Sequence, residues 1–371
     1  MALQEYMAAK PTAVVLAANP AEKKRGDQVH LHAMKPPSSA IAARGEPREH
    51  QIRPKSTGRR AGSLSENRYV TKLLEVRARE AIATGARSGK RRAEMAGMVE
   101  SDSAPLPKLR VLCLHSFRTN AEIMDFQFEL AGMKAALEDT AEFVCCDAPY
   151  TCSEQDLRKL KEHHPDVLDA FPSDTFGDYR EWFNASDDGG HEYRRLGESV
   201  AHIQRFIRER GPFHGIFGFS QGSAMATIIV GKQLAGDLML GLAFAWLHSG
   251  RLPRDDVCAA VFGAVNNGED LLQVSPTATP WNFPVLASRY SMDDAMPPER
   301  TQQVANAFSD SVLVTIPATK PTHAVPKLAP GSEPLRLVRE FLLARQKEAA
   351  VAPVPLPPAD PTFACERCAI L

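Results

Sequence analysis

The chain has 371 residues, of which 44% are hydrophobic and 24% charged, and its formal net charge is -1. That near-neutral balance hides an asymmetry, because residues 1–107 hold 19 Lys/Arg against 11 Asp/Glu, whereas the remainder holds 25 against 34. A basic leader on an acidic body is typical of a tail and argues against a nucleic-acid-binding core. No apolar run approaches the roughly 20 residues that a transmembrane helix needs, so we predict no membrane span.

The leader, residues 1–107, is rich in Ala, Pro, Lys and Arg, and we predict it to be largely disordered. Apolar residues at loose helical spacing favour a solvated helix over residues 65–98. Basic clusters at 53–60 and 90–92 are compatible with a nuclear signal, a membrane-surface patch or a plain solvated tail.

The first 20 residues lack the features of a secretory signal, so we expect a cytoplasmic protein. Five of its seven cysteines are then expected as reduced core thiols: Cys113, Cys145, Cys146, Cys152 and Cys258.

Between residues 108 and 346, short apolar runs alternate with helical patterns. Such alternation predicts an α/β domain with a mostly parallel sheet of about six strands covered by helices on both faces. A long polar and aromatic segment over residues 151–190 is expected to be a lid or binding loop. The predicted strands are 109–114, 142–146, 215–219, 258–264, 284–289 and 311–316, and the predicted helices outside the central motif are 121–137, 193–210, 298–308 and 333–343.

The run from Gly215 to Ala226 joins a buried-strand pattern to a small-residue helix start through the motif G-x-S-x-G. It favours a nucleophile elbow, in which Ser220 sits on a sharp turn with its hydroxyl above the sheet. Side chains at Gly218 or Gly222 would collide where the helix folds back on its strand. The alternative is a chance Gly/Ser turn, since the motif is short and common.

An elbow serine needs a base and an orienting acid, which in this fold follow in the order Ser, Asp or Glu, His. Beyond His248 only His323 remains, just after the sixth predicted strand, so we predict His323 as the base. We predict Asp293, at the end of the fifth strand, as the acid, with Asp294 as second choice. The ordinary alternatives are that Asp293 caps a helix and that His323 is a surface loop residue.

The oxyanion donors are predicted to be the backbone amides of Phe117, in the loop after the first strand, and of Gln221, the residue after the nucleophile. His115 precedes the elbow, so we expect it to fix the Phe117 loop by hydrogen bonding. This chemistry requires no metal or organic cofactor.

Three segments carry a resemblance to the family serine hydrolases (the FSH group): residues 114–120, residues 211–222 and His323-Ala324-Val325-Pro326. The resemblance covers about residues 108–345. It implies an α/β-hydrolase fold with esterase, thioesterase or lysophospholipase-like activity, and it implies Ser220 as nucleophile, Asp293 as acid and His323 as base. The expected partner is a small acyl ester or thioester, lipid-like or carrier-bound, and no nucleic acid.

The chain departs from the family's glycine pattern at Ser116, at Pro321-Thr322 and near Tyr290. The first hypothesis is a serine esterase or thioesterase that uses Ser220, His323 and Asp293. The altered glycines motivate the second, an inactive hydrolase-fold binding module tethered to a membrane. The acyl group accepted should depend on residues 151–190 and 238–252.

Residues 347–371 form a Pro-rich tail whose last four residues, Cys368-Ala369-Ile370-Leu371, fit the C-a-a-X pattern. We predict prenylation of Cys368, with palmitoylation of Cys365 as the second signal that stable anchoring needs. The protein would then associate peripherally with a membrane. The alternative is a free-thiol or metal-binding tail.

Overall fold

A computed structural model describes residues 106–163 and 165–351. The predicted helix over 65–98, the rest of the leader to residue 105, and the tail with Cys365 and Cys368 lie outside the described residues.

Six strands form the central sheet, and every neighbouring pair is parallel. Their order across the sheet is β6-β5-β4-β3-β1-β2. The strands are β1 (Leu109–Leu114), β2 (Ala141–Cys146), β3 (Gly215–Phe219), β4 (Phe244–His248), β5 (Val285–Tyr290) and β6 (Ser311–Ile316). The predicted parallel sheet of about six strands is confirmed.

Helices connect these strands and cover both faces. In chain order they are α1 (Ala121–Leu130), α2 (Met133–Ala136), α3 (Glu154–His163), α4 (Pro165–Ala170), α5 (Ser173–Phe176), α6 (Leu196–Arg210), α7 (Gln221–Leu234), α8 (Asp256–Ala260), α9 (Pro298–Asn306) and α10 (Glu333–Val351). The helix predicted over 121–137 is interrupted at Gly132, which adopts a left-handed φ of 67°. Helix α10 continues past residue 346, where we had placed the end of the domain. None of the helices in the described part of the chain combines the length and apolar character that crossing a bilayer requires.

Successive strand residues enter two different cores, because side chains alternate between the faces of a sheet. Leu112 and Ile216 pack with α6, α7 and α9 on one face. Phe217 and Trp246 pack with α1, α2 and α10 on the other. The strands are therefore mostly apolar on both faces, as is typical of parallel sheets covered on both sides. Four of the five cysteines in these residues are buried, Cys145 is half-buried, and all five are free.

The fourth strand was predicted wrongly. Residues 258–264 form no strand of the central sheet. Cys258 to Ala260 belong to a short helix, which Asp255 caps by accepting a hydrogen bond from the Cys258 amide. The true fourth strand is β4, which lies beside β3 in register with Phe219 opposite His248. This correction places His248 next to the elbow.

The long segment between β2 and α6 contains α3, α4 and α5 together with two small antiparallel ladders. One ladder pairs Tyr150–Thr151 with Arg180–Glu181, and the other pairs Asn184–Ala185 with Tyr193–Arg194. A third ladder, after α8, pairs Ala264–Val265 with Gln273–Val274. The segment between the first two ladders lies against the start of α7 through Trp182 and Phe183, which are both bonded to Gln221.

Candidate active site

Ser220 occupies the tight junction between β3 and α7, with φ 56° and ψ -115°. A non-glycine residue at positive φ is strained by about 1–3 kcal/mol, and such strain concentrates at functional sites. The Ser220 amide donates to the carbonyl of His248 at 3.1 Å, which holds the turn against the end of β4. The Ser220 side chain makes no capping bond to its helix, so its hydroxyl is available to other groups.

The two motif glycines are required by close backbone approach. A Cβ on Gly218 would lie 2.3 Å from the carbonyl oxygen of Gly222, and one on Gly222 would lie 2.1 Å from that of Leu114. Both distances are far below any real Cβ contact. The collision of helix with strand that we predicted is therefore present at Gly218, and Gly222 in addition lets α7 approach the end of β1.

The structure brings Ser220, His323 and Asp293 together. His323 Nε2 lies 2.9 Å from Ser220 Oγ, and His323 Nδ1 lies 2.9 and 3.0 Å from the two carboxylate oxygens of Asp293. These contacts are satisfied when Nδ1–H donates to Asp293 and Nε2 accepts a hydrogen bond from the Ser220 hydroxyl. Asp294, our second choice, is exposed and forms no part of this chain of bonds.

Asp293 is buried, and its carboxylate also accepts a hydrogen bond from the Met296 amide at 2.8 Å. Burial alone would raise the pKa of Asp293, but the hydrogen bond and charge of His323, the Met296 amide and the Ser249 hydroxyl together lower it below its usual value. The acid is thus held ionised beside the imidazole. Asp293 does not cap α9, whose N-cap residue is Pro297 and has no side-chain capping bond. The Met296 amide that it accepts from precedes that helix.

The loop that carries Phe117 abuts the start of α7, since the Leu114 carbonyl lies against Gly222. The Gln221 amide is the first in α7 and has no partner within the helix. The Gln221 side chain accepts from the Trp182 amide at 3.0 Å and donates to the Phe183 carbonyl at 2.8 Å. Gln221, the residue after Ser220, therefore connects α7 to the long segment.

His115 is fully buried and makes two bonds that shape the Phe117 loop. Its Nδ1–H donates to the Ser116 carbonyl at 2.8 Å, and its Nε2 accepts from the Ala148 amide at 3.0 Å. Burial lowers the pKa of His115 to about 4, against the opposing effect of the Ser116 bond. A neutral, fixed ring is what the expected structural role needs, and the Trp182 indole N–H adds a bond to the His115 carbonyl at 2.9 Å.

His248, which we set aside when we chose the base, supports the loop of His323. The Trp246 indole donates to Ser288 Oγ, Ser288 Oγ–H donates to His248 Nδ1, and His248 Nε2–H donates to the Ala324 carbonyl, each at 2.8 Å. Burial lowers the pKa of His248 to about 4, so the ring is neutral in this series of hydrogen bonds. The sequence did contain a signal for this position, since His248 ends an apolar run and precedes Ser249-Gly250. It was missed because the fourth strand was predicted at residues 258–264.

The Tyr290 hydroxyl is a second anchor for the same loop. It donates to the Val325 carbonyl at 3.0 Å and accepts from the Lys327 amide at 3.0 Å.

Among the described residues, the non-glycine residues at positive φ are Arg118, Arg195, Ser220 and Ser249. Ser116, Thr322 and Tyr290, where the chain departs from the family's glycines, are outside the left-handed region, so their side chains impose no strain of that kind.

A cavity of about 600 Å³ is lined by Leu252, Phe262, Leu271, Val274 and polar side chains of α9. Ser220, Asp293 and His323 are not among its lining residues. It includes only Leu252 of the regions 151–190 and 238–252 that we expected to form the pocket. In residues 106–163 and 165–351, no three His, Cys, Asp or Glu side chains are grouped so that they could hold a metal ion.

A family model described as "Serine hydrolase (FSH1)" matches residues 104–335. Human esterase OVCA2 is 28% identical over 242 residues, a match that covers 60% of this chain and 91% of that protein. The Caenorhabditis elegans esterase C25G4.2 is 30% identical over 147 residues, covering 39% of this chain and 61% of that protein.

Among solved structures, the crystal structure of esterase PE8 has a TM-score of 0.38 and 17% identity, and the match covers 64% of this chain and 93% of that one. The family match extends over more than half of the chain and includes the elbow, Asp293 and His323. The chain therefore belongs to the FSH1 serine hydrolase family.

Proposed function

We propose that this protein is a serine hydrolase that cleaves a carboxylic ester or thioester through an acyl-enzyme intermediate. The observation that carries the proposal is the unbroken chain of hydrogen bonds from Ser220 through His323 to Asp293. A nucleophile bonded to a base that is itself oriented by an acid is the arrangement that activates a serine hydroxyl.

In the first half-reaction, His323 Nε2 takes the proton from Ser220 as Oγ attacks the acyl carbonyl carbon. The oxyanion that develops is stabilised by the backbone amides of Gln221 and Phe117. His323 then gives its proton to the departing alkoxide or thiolate, which leaves the acyl group on Ser220. In the second half-reaction a water molecule loses a proton to His323 and attacks the same carbonyl. His323 returns that proton to Ser220 Oγ as the acyl–oxygen bond breaks, which releases the carboxylic acid and restores the free serine.

Asp293 stays ionised throughout and has two effects. It holds the His323 ring with Nε2 facing Ser220, and it stabilises the imidazolium that forms in each transition state. His248 and Tyr290 act through the backbone that carries His323 rather than on the substrate. The carboxylate, the base and its loop are thus positioned before substrate arrives, which is what electrostatic preorganisation requires.

Labelling with a fluorophosphonate probe tests the proposal, together with hydrolysis of acyl esters and thioesters of increasing chain length. Wild type should be labelled and active, and Ser220→Ala should lose both properties. The matched control is Ser223→Ala, because Ser223 is a buried serine on the same helix whose Oγ has no hydrogen-bond partner in the described residues. Equal labelling of wild type and Ser220→Ala would refute the nucleophile assignment. Absence of all hydrolysis would favour the inactive binding module.

A further inference from the structure

Three arginines gather where the chain leaves β4. Arg251 and Arg254 lie in the loop between β4 and α8, and Arg300 lies in the first turn of α9. The charges of Arg254 and Arg300 act on Arg251, and burial together with these charges lowers the pKa of Arg251 to about 10. All three side chains are half-buried, and their Nε atoms are buried without a hydrogen-bond partner in the described residues.

In the described residues, a single ion pair accompanies the three positive charges. Asp270 forms the ion pair with Arg300, and its backbone carbonyl accepts a bond from Arg251 at 3.3 Å. In the described part of the chain, neither Arg251 nor Arg254 forms an ion pair, whereas Arg118 and Arg345, which also have unpartnered Nε atoms, each contact two carboxylates. An excess of partly desolvated positive charge is unfavourable unless an anion completes it.

Two local features bear on the positions of Arg300 and Arg254. Arg300 is close to the positive end of the α9 dipole, where a cation is unfavourable for helix stability. Gly190, at φ +81°, would place a Cβ 3.2 Å from Arg254 Nε, so a side chain there would press on the guanidinium group. Arg300 therefore interacts unfavourably with the dipole of α9, and Gly190 leaves room for the guanidinium group of Arg254.

The cluster is connected to the site around Ser220 from two sides. Arg251 follows His248 by three residues, a span of at most about 11 Å, and the His248 carbonyl receives the Ser220 amide. Arg300 is four residues beyond Met296, whose amide donates to Asp293 and whose sulfur lies 4.0 Å from Arg300 Nη1. The cluster is therefore near the catalytic groups without touching them.

We propose that Arg251, Arg254 and Arg300 bind an oxyanion, either a carboxylate or a phosphate, that the substrate carries away from its scissile bond. This inference rests on the proposed ester or thioester hydrolysis and specifies the substrate class. Guanidinium groups pair with both oxyanions through two parallel N–H donors, so both share the recognition chemistry. Such a site would favour an acidic ester over the neutral ester of the same length.

Matched substrate pairs test the inference and separate the two sources of the anion. Ethyl half-esters of dicarboxylic acids from succinic to suberic acid are compared with ethyl esters of monocarboxylic acids of equal length. Acyl glycerol phosphates are compared with the corresponding monoacylglycerols. Arg254→Gln should lower kcat/KM by about tenfold to a hundredfold for the preferred anionic substrate and leave its neutral partner unchanged, since one charge-assisted pair is lost. Arg208→Gln, at an exposed position in the last turn of α6, is the matched control and should change neither.

Equal kcat/KM within every pair, or an equal loss on both members in Arg254→Gln, would overturn the oxyanion site while leaving ester hydrolysis intact. If no ester is hydrolysed, the proposed function fails, and the site is tested by binding alone. Isothermal titration of Ser220→Ala with inorganic phosphate and with glutarate should then show binding that disappears in Ser220→Ala/Arg254→Gln. Absence of binding to both anions would overturn the site.

Discussion

Replacement of His248 by asparagine or glutamine separates the two hydrogen bonds that this buried ring makes. The amide nitrogen of glutamine can occupy the place of Nε2 and keep the bond to the Ala324 carbonyl. Asparagine reaches only the place of Nδ1, so it keeps the Ser288 bond and loses the one to Ala324. Each variant leaves one buried polar group unsatisfied, which costs about 1–3 kcal/mol of unfolding free energy.

The two variants should therefore lose similar stability but differ in catalysis. Loss of the Ala324 anchor frees the backbone next to His323, and a displacement of the base by about 1 Å lowers the rate on the order of a hundredfold. We expect kcat of His248→Asn to fall by about tenfold to a hundredfold with KM little changed, and kcat of His248→Gln to stay within about threefold of wild type.

Steady-state hydrolysis at neutral pH gives kcat and KM, and urea unfolding of the same samples gives stability. His214→Ala is the control, because this histidine accepts a bond from the Arg110 amide at the opposite, amino end of β3. It should lose stability without losing kcat. Equal kcat in the asparagine and glutamine variants of His248 would refute its role as a positioning residue.

Further predictions concern packing and pH. Gly222→Ala should destabilise the protein by about 1–3 kcal/mol or more, because its Cβ would meet the Leu114 carbonyl at 2.1 Å. Gly197→Ala should stabilise it by about 0.5–1 kcal/mol, since nothing lies within 4 Å of that helical position. Thermal unfolding compares the two, and similar melting temperatures would contradict the packing argument. His115 and His248 have folded-state pKa values of about 4, below the unfolded value of about 6.5. The unfolded state binds more protons between these values, so unfolding free energy should fall as pH drops from about 6.5 to about 4, by up to about 3 kcal/mol per histidine. Urea unfolding that is independent of pH over this range would contradict the burial of neutral rings.

The strands β1 and β6 were predictable because their patterns are unambiguous. The β1 and β6 boundaries match the predicted 109–114 and 311–316. Chain order and position at predicted strand ends pointed to His323 and to Asp293, with Asp294 as second choice. The β4 strand was missed because residues 238–247 form one apolar run that neither alternates nor carries a helical period. Short apolar runs of that kind cannot be assigned from periodicity.

The support for the catalytic residues could not be predicted in the same way. The bond from His248 to Ala324 joins residues 76 positions apart, and the bond from Tyr290 to Val325 spans 35. These pairings exist only because parallel strands bring their carboxyl ends to one edge of the sheet. The backbone angles at Ser116 and Thr322, where the family has glycine, could not be predicted either. Both residues lie outside the left-handed region, since backbone angles depend on the surrounding loop and not on residue type alone.

Trapping the acyl-enzyme tests the central claim most directly. Wild-type protein mixed with an activated ester and quenched early should carry one added acyl group, located by peptide mass spectrometry on Ser220. Asp293→Asn should form this adduct much more slowly, because the acid no longer fixes the tautomer of His323. No adduct on wild type with an ester that it hydrolyses, or an adduct on a cysteine instead, would contradict the account.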